Sequence, residues 1–229
     1  MGTLYLVATP IGNLEDLGLR ALRVLGEVPV VLAEDTRVSV RLLARHGLRT
    51  KLTSYRAANE TRMIPRVLAM LEEHDLALVS DAGMPGINDP GLRLVNAARR
   101  AGHVVSCIPG PSAVTSAVVL SGFAGPGFIF LGYLPRKPGQ LRSQLAAMTD
   151  EVRPAVAFES PHRLAKTLAI IGEVLGPRPI AVARELTKVH EEVRIGPAAK
   201  LAADYQGVTV KGECTLVLAG CKELGPESE

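Results

Sequence analysis

Short runs of aliphatic residues alternate along the chain with stretches in which apolar residues recur every three or four positions. Runs bounded by glycine, proline and small polar residues predict buried strands, and the longer spacing predicts helices with one apolar face. Strands are expected near Leu4 to Ala8, Val30 to Ala33, Leu76 to Ser80 and Val104 to Ile108. Helices are expected near Leu17 to Leu25, Arg37 to Arg45, Met63 to Glu73, Leu92 to Ala101 and Ser112 to Leu120. Strand and helix in strict alternation imply a mostly parallel sheet. After the glycine-rich break at Gly122 to Gly127 a second set begins, with strands near Phe128 to Tyr133, Ala155 to Glu159, Ile180 to Arg184, Val193 to Ile195 and Thr215 to Ala219. Helices near Gln140 to Met148, Arg163 to Leu175 and Ala198 to Tyr205 complete it. The chain thus reads as α/β throughout, with two α/β domains at 1–120 and 121–222 and a flexible polar tail at 223–229.

A length of 229 residues accommodates two such domains. Hydrophobic residues make up 47% but aromatics only 3%, with no tryptophan, so the cores must be built from Val, Leu, Ile and Ala. Cys107, Cys214 and Cys221 are odd in number and form no C-x-x-C pair, which suggests neither a disulfide framework nor a zinc site and fits a reducing cytoplasm. No metal is expected. From Ala101 to Pro135 there is no Asp, Glu, Lys or Arg, yet seven glycines and prolines between Pro109 and Gly127 cut the stretch into strand, helix and strand. We read buried core there rather than a membrane span. No basic-then-apolar leader opens the chain, so a cytoplasmic location is expected.

The common nucleotide fingerprints are missing: no G-x-G-x-x-G follows the first strand and no G-x-x-x-x-G-K-[ST] occurs. G-x-S-x-G and H-E-x-x-H are absent too, which removes the usual hydrolase and zinc-protease readings. What the sequence does carry is a set of glycine-proline loops at predicted strand ends: Thr9-Pro10-Ile11-Gly12-Asn13, Ser80 through Gly91, and Pro109-Gly110-Pro111-Ser112-Ala113. Loops after the carboxyl ends of strands are where open α/β sheets bind ligands. Backbone groups and small side chains there suit a flat ligand such as an adenosine. Pro10, Asp81, Gly83, Pro85, Ile87, Asp89, Ser112 and Ala113 are the cofactor-binding candidates, although Ser112 also reads as a helix N-cap.

Ala33-Glu34-Asp35-Thr36-Arg37 places two carboxylates at another strand end, ahead of a basic segment. Between Thr36 and Arg66 eight basic residues face Glu60 alone, a local net of +7 in a chain of +3. Arg37, Arg41 and Arg45 recur every four residues and so share one helix face. Like charges at that spacing repel unless something anionic offsets them, which points to a polyanionic partner. Arg56 belongs to the same segment. In the second domain polar groups cluster just past strands, at Phe130 to Pro135, Phe158 to Arg163, Ala183 to Lys188 and Lys211 to Glu213. Phe158 and Ala183 join the cofactor candidates, and Arg136, Arg163 and Lys211 join Arg37, Arg41, Arg45 and Arg56 as candidates for contacting the polyanion.

In order along the chain, T-P-I-G-N, A-E-D-T-R, S-D-A-G-M-P-G-I-N-D-P-G, I-P-G-P-S-A, F-L-G-Y-L-P, F-E-S-P-H-R, R-E-L-T-K and K-G-E resemble the pattern of the ribosomal RNA small subunit methyltransferase I family. That family falls in the tetrapyrrole-methylase-like class of S-adenosylmethionine enzymes. Each motif alone is weak, whereas eight in register from Leu4 to Ala219 are specific. The resemblance implies two α/β domains of the tetrapyrrole methylase type with the cofactor cleft between them, S-adenosyl-L-methionine as cofactor, and a homodimer. It also implies 2′-O-methylation of a cytidine ribose in the decoding region of 16S rRNA, in the small ribosomal subunit; members of that family carry a further helical extension beyond the last strand, and in this respect the sequence, which stops soon after Ala219, departs from the pattern. For the base, or for orienting the hydroxyl, the candidates are Glu34, Asp35, Asp81 and Glu185. Lys188 or Lys211 could lower the hydroxyl's pKa, and the sequence does not choose among them. A tetrapyrrole methylase and a non-catalytic RNA-binding module are the alternatives; the basic segment speaks against the first and the intact loops against the second.

Overall fold

Strands β2 (Val30–Ala33) and β4 (Leu76–Val79) are buried at every position, as expected for parallel strands covered on both faces. They lie in a five-stranded sheet with β1 (Thr3–Val7), β3 (Lys51–Ser54) and β5 (Val104–Ile108), in the order β3-β2-β4-β1-β5, and all four pairings are parallel. The computed structural model describes residues 1–123 and 125–222, so the tail expected at 223–229 lies outside the described residues. The chain divides into two compact units, Met1–Ser112 and Ala113–Glu229.

Alternation along the strands sorts the first unit's core into two layers. Val31, Ala33, Ala77 and Val79 face α1 (Leu19–Glu27) and α2 (Thr36–Arg45), meeting Val24, Leu25, Leu42 and Leu43. Val30, Leu32, Leu76 and Leu78 face α3 (Glu60–Leu71) and α4 (Leu92–Arg100), meeting Val67, Leu71, Leu94 and Ala98. A period of two along a strand sends neighbours to opposite faces, so one aliphatic run serves both layers. Truncating a fully buried leucine such as Leu25 to alanine costs about 2–5 kcal/mol.

The second unit holds β6 (Ile129–Tyr133), β7 (Ala155–Glu159), β8 (Pro179–Arg184), β9 (Glu192–Pro197) and β10 (Cys214–Leu218), in the order β6-β7-β10-β8-β9. Here β6 and β7 run parallel, while β7–β10, β10–β8 and β8–β9 are antiparallel. The turn from β8 to β9 is too short for a crossover helix, which dictates the antiparallel pairing. α5 (Ala113–Ser121) lies against β7, β8 and β10. α6 (Pro138–Ala146), α7 (Leu164–Leu175) and α8 (Ala198–Tyr205) contribute Leu145, Leu168, Ile171 and Leu201 to this unit's core. Every expected strand and helix is present within a few residues of its expected bounds, and β3 and a single 3-10 turn at Leu14–Asp16 are additional. The uncharged stretch 101–135 resolves into β5, α5 and β6. Among the described residues no helix is long and apolar enough to cross a membrane.

Candidate active site

Because β1 lies between β4 and β5, the three glycine-proline loops leave neighbouring strands at one edge of the first sheet. Thr9 ties two of them together. It forms an isolated antiparallel bridge with Gly83, and its hydroxyl donates to the Ser80 carbonyl at 3.1 Å. Gly83 sits at φ +77°, a conformation costly for residues with a Cβ. The third loop closes on the first, since a Cβ on Gly110 would lie 3.0 Å from the Ala8 Cβ. Pro10, Ile11 and Pro85 are buried in this knot, whereas Asp81, Ile87 and Asn88 are exposed and Met84 and Asp89 half-buried. The loops therefore form a braced floor with one apolar and several acidic groups on its open side. Ser112 ends the first unit; Ala113 opens α5 in the second.

The carboxylates divide by role. Asp35 accepts the Arg37 backbone N–H at 2.9 Å, capping α2, and grips the Arg37 guanidinium through Nε and a short terminal contact of 2.5 Å. Those hydrogen bonds hold its carboxyl at about 2. Its own N–H donates to Asp81 Oδ1 at 2.9 Å, joining the β2 exit to the β4 exit. Glu34 caps nothing. Burial pushes its carboxyl above the usual range, the nearby Asp89 and Asp81 carboxylates push it further, and a hydrogen bond from the Asp81 backbone only partly opposes them. Asp89 is raised chiefly by burial as well, with Ser80 opposing and Asp81 adding to the shift. Of the catalytic candidates in this unit, Glu34 is the carboxylate whose proton affinity is raised, with Asp89 and Asp81 near it.

The basic residues follow on α2 and beyond. Arg37, Arg41 and Arg45 are exposed along one helix face, Arg37 engaged by Asp35 and Arg45 3.6 Å from Glu15. Arg56 is exposed too, and its charge helps lower the Asp35 pKa.

The second unit brings together a different set. Glu185 and Lys188 are ion-paired at 2.7 Å, and Lys188 also reaches Glu213 at 2.9 Å. Glu185 adopts φ +51° and exchanges backbone and side-chain bonds with Glu213, while a Cβ on Gly212 would overlap its carboxylate at 2.2 Å. The R-E-L-T-K and K-G-E motifs are thus a single clamp, with the exposed Lys211 lending its carbonyl to Arg184. Hydrogen bonding from Lys188 keeps the Glu185 carboxyl below its ordinary range, which ill suits a base. Glu159, 2% exposed, accepts from the Ser160 N–H and the Thr167 hydroxyl and pairs with Arg163 at 3.3 Å. Arg163 donates in turn to the Leu134 and Pro135 carbonyls, so it braces the loop after β6. Arg136 on that loop is exposed. Phe158 packs edge-on against Phe130, with ring centroids 5.1 Å apart, and Ala183 is a buried strand residue.

Residue-by-residue reading of the sequence passed over Thr9, Glu159 and Glu60. Glu60 had a visible signal, being the lone acid of the basic segment; the other two look like ordinary strand-end residues.

The family model described as Tetrapyrrole (Corrin/Porphyrin) Methylases matches residues 3–202. A ribosomal RNA small subunit methyltransferase I from Thermotoga maritima is 46% identical, over 96% of this chain and 99% of the relative. A protein of the same name from Pseudomonas aeruginosa is 43% identical, over 100% of this chain and 82% of its own length. Among solved structures, uroporphyrin-III-C-methyltransferase from Thermus thermophilus superposes with a TM-score of 0.65 at 24% identity, covering 96% of this chain and 94% of the other, a likeness of fold alone. The chain belongs to the tetrapyrrole (corrin/porphyrin) methylase family, and within it to the ribosomal RNA small subunit methyltransferase I group.

Proposed function

We propose that this chain transfers a methyl group from S-adenosyl-L-methionine to the 2′-hydroxyl of a cytidine ribose in the 16S rRNA of the small ribosomal subunit. The observation that carries this reading is identity of 46% with a ribosomal RNA small subunit methyltransferase I across nearly the full length of both chains. The first unit's loops fit the cofactor chemically. The backbone of Gly83, without a Cβ, and the tight approach of Gly110 to Ala8 suit a flat adenosine, and the carboxylates of Asp81, Asp89 and Glu34 suit a ligand that carries positive charge. Bound there, the cofactor supplies an electrophilic methyl group on a sulfonium.

The chain's own contribution is positioning and proton transfer. Exposed Arg41, Arg45 and Arg56 hold phosphates flanking the target nucleotide. Glu34 accepts the 2′-hydroxyl proton as the oxygen takes the methyl, and its raised pKa makes it a better acceptor than Asp35. Asp35 keeps α2 and the β4 loop in register. Partners are the small-subunit rRNA and a second copy of this chain, and the setting is the cytoplasm.

Small subunits lacking the modification, incubated with methyl-tritiated cofactor, should take up label in 16S rRNA that survives alkaline digestion as a 2′-O-methylated dinucleotide. Label entering a tetrapyrrole instead, or none entering RNA, overturns the reading.

A further inference from the structure

We infer that Glu60 is a positioning residue that sets the shape of the Ser80–Gly91 loop, and through it the affinity for the cofactor; this rests on the function proposed above. Glu60 opens α3 and is 8% exposed, an unusual placement for a carboxylate without partners. Its Oε1 accepts the Gly91 N–H at 3.0 Å and the Tyr55 hydroxyl at 3.2 Å. Tyr55 is fully buried, and the Arg93 guanidinium stands 3.9 Å from the second carboxylate oxygen. The helix N-terminus further favours a negative charge at this place.

Gly91 is where the loop turns into α4, and its geometry leaves no slack. Its φ is +141°, open to glycine alone, and a Cβ there would strike Leu78 Cδ2 at 2.8 Å and approach the Gly86 nitrogen to 3.6 Å. The loop is therefore pinned at both ends. Thr9 and the Ser80 hydroxyl hold its start, Glu60 holds its finish, and between them lie the exposed Ile87 and Asn88 and the half-buried Asp89. Asn88 sits at φ +63°, the left-handed region that asparagine adopts more readily than most residues, which turns the chain toward Gly91. The hydrogen bond that the Gly91 N–H donates to the buried Glu60 carboxylate fixes the hinge in this conformation. None of the catalytic candidates touches Glu60 through a hydrogen bond or ion pair among the described residues, so its effect should fall on binding rather than on turnover.

The test is cofactor binding by calorimetry and single-turnover methylation of small subunits for wild type, Glu60→Ala, Glu60→Gln and Glu60→Met. Glu60→Ala should weaken cofactor binding about tenfold, losing the charge-assisted bonds from Gly91 and Tyr55, while the rate at saturating cofactor and the RNA affinity stay within about twofold of wild type. Glu60→Gln keeps an acceptor and should recover most of the affinity, whereas Glu60→Met, which fills similar space without one, should not; a merely space-filling role predicts recovery in both. Amide exchange at Gly91 in the wild-type protein gives a reading independent of the variants: it should be protected. Unchanged cofactor affinity in a folded Glu60→Ala, a loss of rate at saturation equal to the loss of affinity, no recovery in Glu60→Gln, or fast exchange at Gly91 overturns the inference. If wild type itself binds no cofactor, it is the proposed function that fails.

Discussion

Thr9 and Gly83 exchange both backbone hydrogen bonds, Thr9 N–H to the Gly83 carbonyl at 2.9 Å and Gly83 N–H to the Thr9 carbonyl at 3.0 Å. Seventy-four residues apart in sequence, they weld the loop after β1 to the loop after β4. A Cβ on Gly83 would meet only Ile11 Cγ2 at 3.7 Å and the Pro111 carbonyl at 3.8 Å, so space is not the obstacle there; the φ of +77° is. Gly83→Ala should therefore cost about 1–2 kcal/mol through backbone strain, and the β-branched Gly83→Val more. Calorimetry on the folded fraction should show Gly83→Ala retaining cofactor affinity within a few-fold and Gly83→Val losing it by at least about tenfold, because relief of the strain pulls the two loops apart.

The arginine face of α2 invites an electrostatic test. Arg41 has no carboxylate within 4 Å among the described residues, and Arg45 has only the exposed Glu15 at 3.6 Å, so neither has a strong internal role. Arg41→Glu with Arg45→Glu should leave the melting temperature nearly unchanged. If each contacts one phosphate of a single-stranded target, the slope of log K against log salt should flatten by about 1.4, roughly 0.7 per contact. Binding isotherms at four salt concentrations measure this, and an unchanged slope returns both residues to a solvated surface.

Lys188 between Glu185 and Glu213 makes a pH-dependent prediction. Glu185 is held below its ordinary pKa first by the Lys188 hydrogen bond, so the stability it contributes is present above pH 4.5 and lost as pH falls through the lowered value. Lys188→Met should lower stability at pH 7 by about 1 kcal/mol, a drop of about 2–4 °C in melting temperature. The gap from wild type should close below pH 4.5 as the Glu185 carboxylate takes up a proton. Thermal melts from pH 7 to pH 3.5 follow it; a gap that is flat with pH removes the clamp.

Aliphatic runs such as Val30–Ala33 and Leu76–Val79 announce their strands because a parallel sheet buries both faces and leaves no room for polar residues. The sequence of β3, Lys51-Leu52-Thr53-Ser54, has one aliphatic residue and lies at the sheet edge, so nothing in its pattern separates it from loop. The glycine-proline loops were legible for a similar reason, since their residue types are set by backbone geometry at their own positions. The roles of the charged residues were not. Whether Arg163 meets RNA or braces the Leu134–Pro135 carbonyls depends on where Glu159 lies, and Asp35 differs from its neighbour Glu34 only through which N–H groups fall within reach. The Arg163 contacts to Leu134 and Pro135 span 29 and 28 residues and leave no local spacing to read, while the Glu159–Arg163 and Asp35–Arg37 pairs are close in sequence but depend on how the strand-exit loops turn.

Glu34 carries a second pH signature, of opposite sign to that of Glu185. Its folded pKa is raised by burial and by Asp89 and Asp81, so its carboxylate opposes folding once pH rises through that value, and the protein gains stability as pH falls toward 4.5. Glu34→Gln imitates the protonated acid. It should melt above wild type at pH 7 and converge with it below pH 4.5. A cationic ligand at the same place favours the carboxylate, so cofactor binding at pH values where Glu34 is still partly protonated, above 4.5, should release protons, seen as a buffer-dependent heat in calorimetry that Glu34→Gln diminishes.

The same substitution bears on chemistry when paired with its neighbour. Asp35 is committed to the α2 cap and to Arg37, and at a pKa of about 2 it is a poor proton acceptor. Glu34 has no such engagement, lies beside the loops proposed to hold the cofactor, and has a proton affinity moved toward neutral. Each variant, Glu34→Gln and Asp35→Asn, keeps the side chain's size and an acceptor oxygen. In single-turnover methylation at saturating cofactor, Glu34→Gln should lose at least about 10²-fold, the usual worth of a general base, while Asp35→Asn should stay within about threefold. In wild type the rate should rise with pH through the raised Glu34 pKa, since only the carboxylate accepts a proton, and that limb should vanish in Glu34→Gln. Equal and small losses in both variants would shift the role to Asp81, the remaining catalytic candidate of the first unit; a large loss in Asp35→Asn with normal Glu34→Gln turnover would mean that helix capping, not proton transfer, controls the rate.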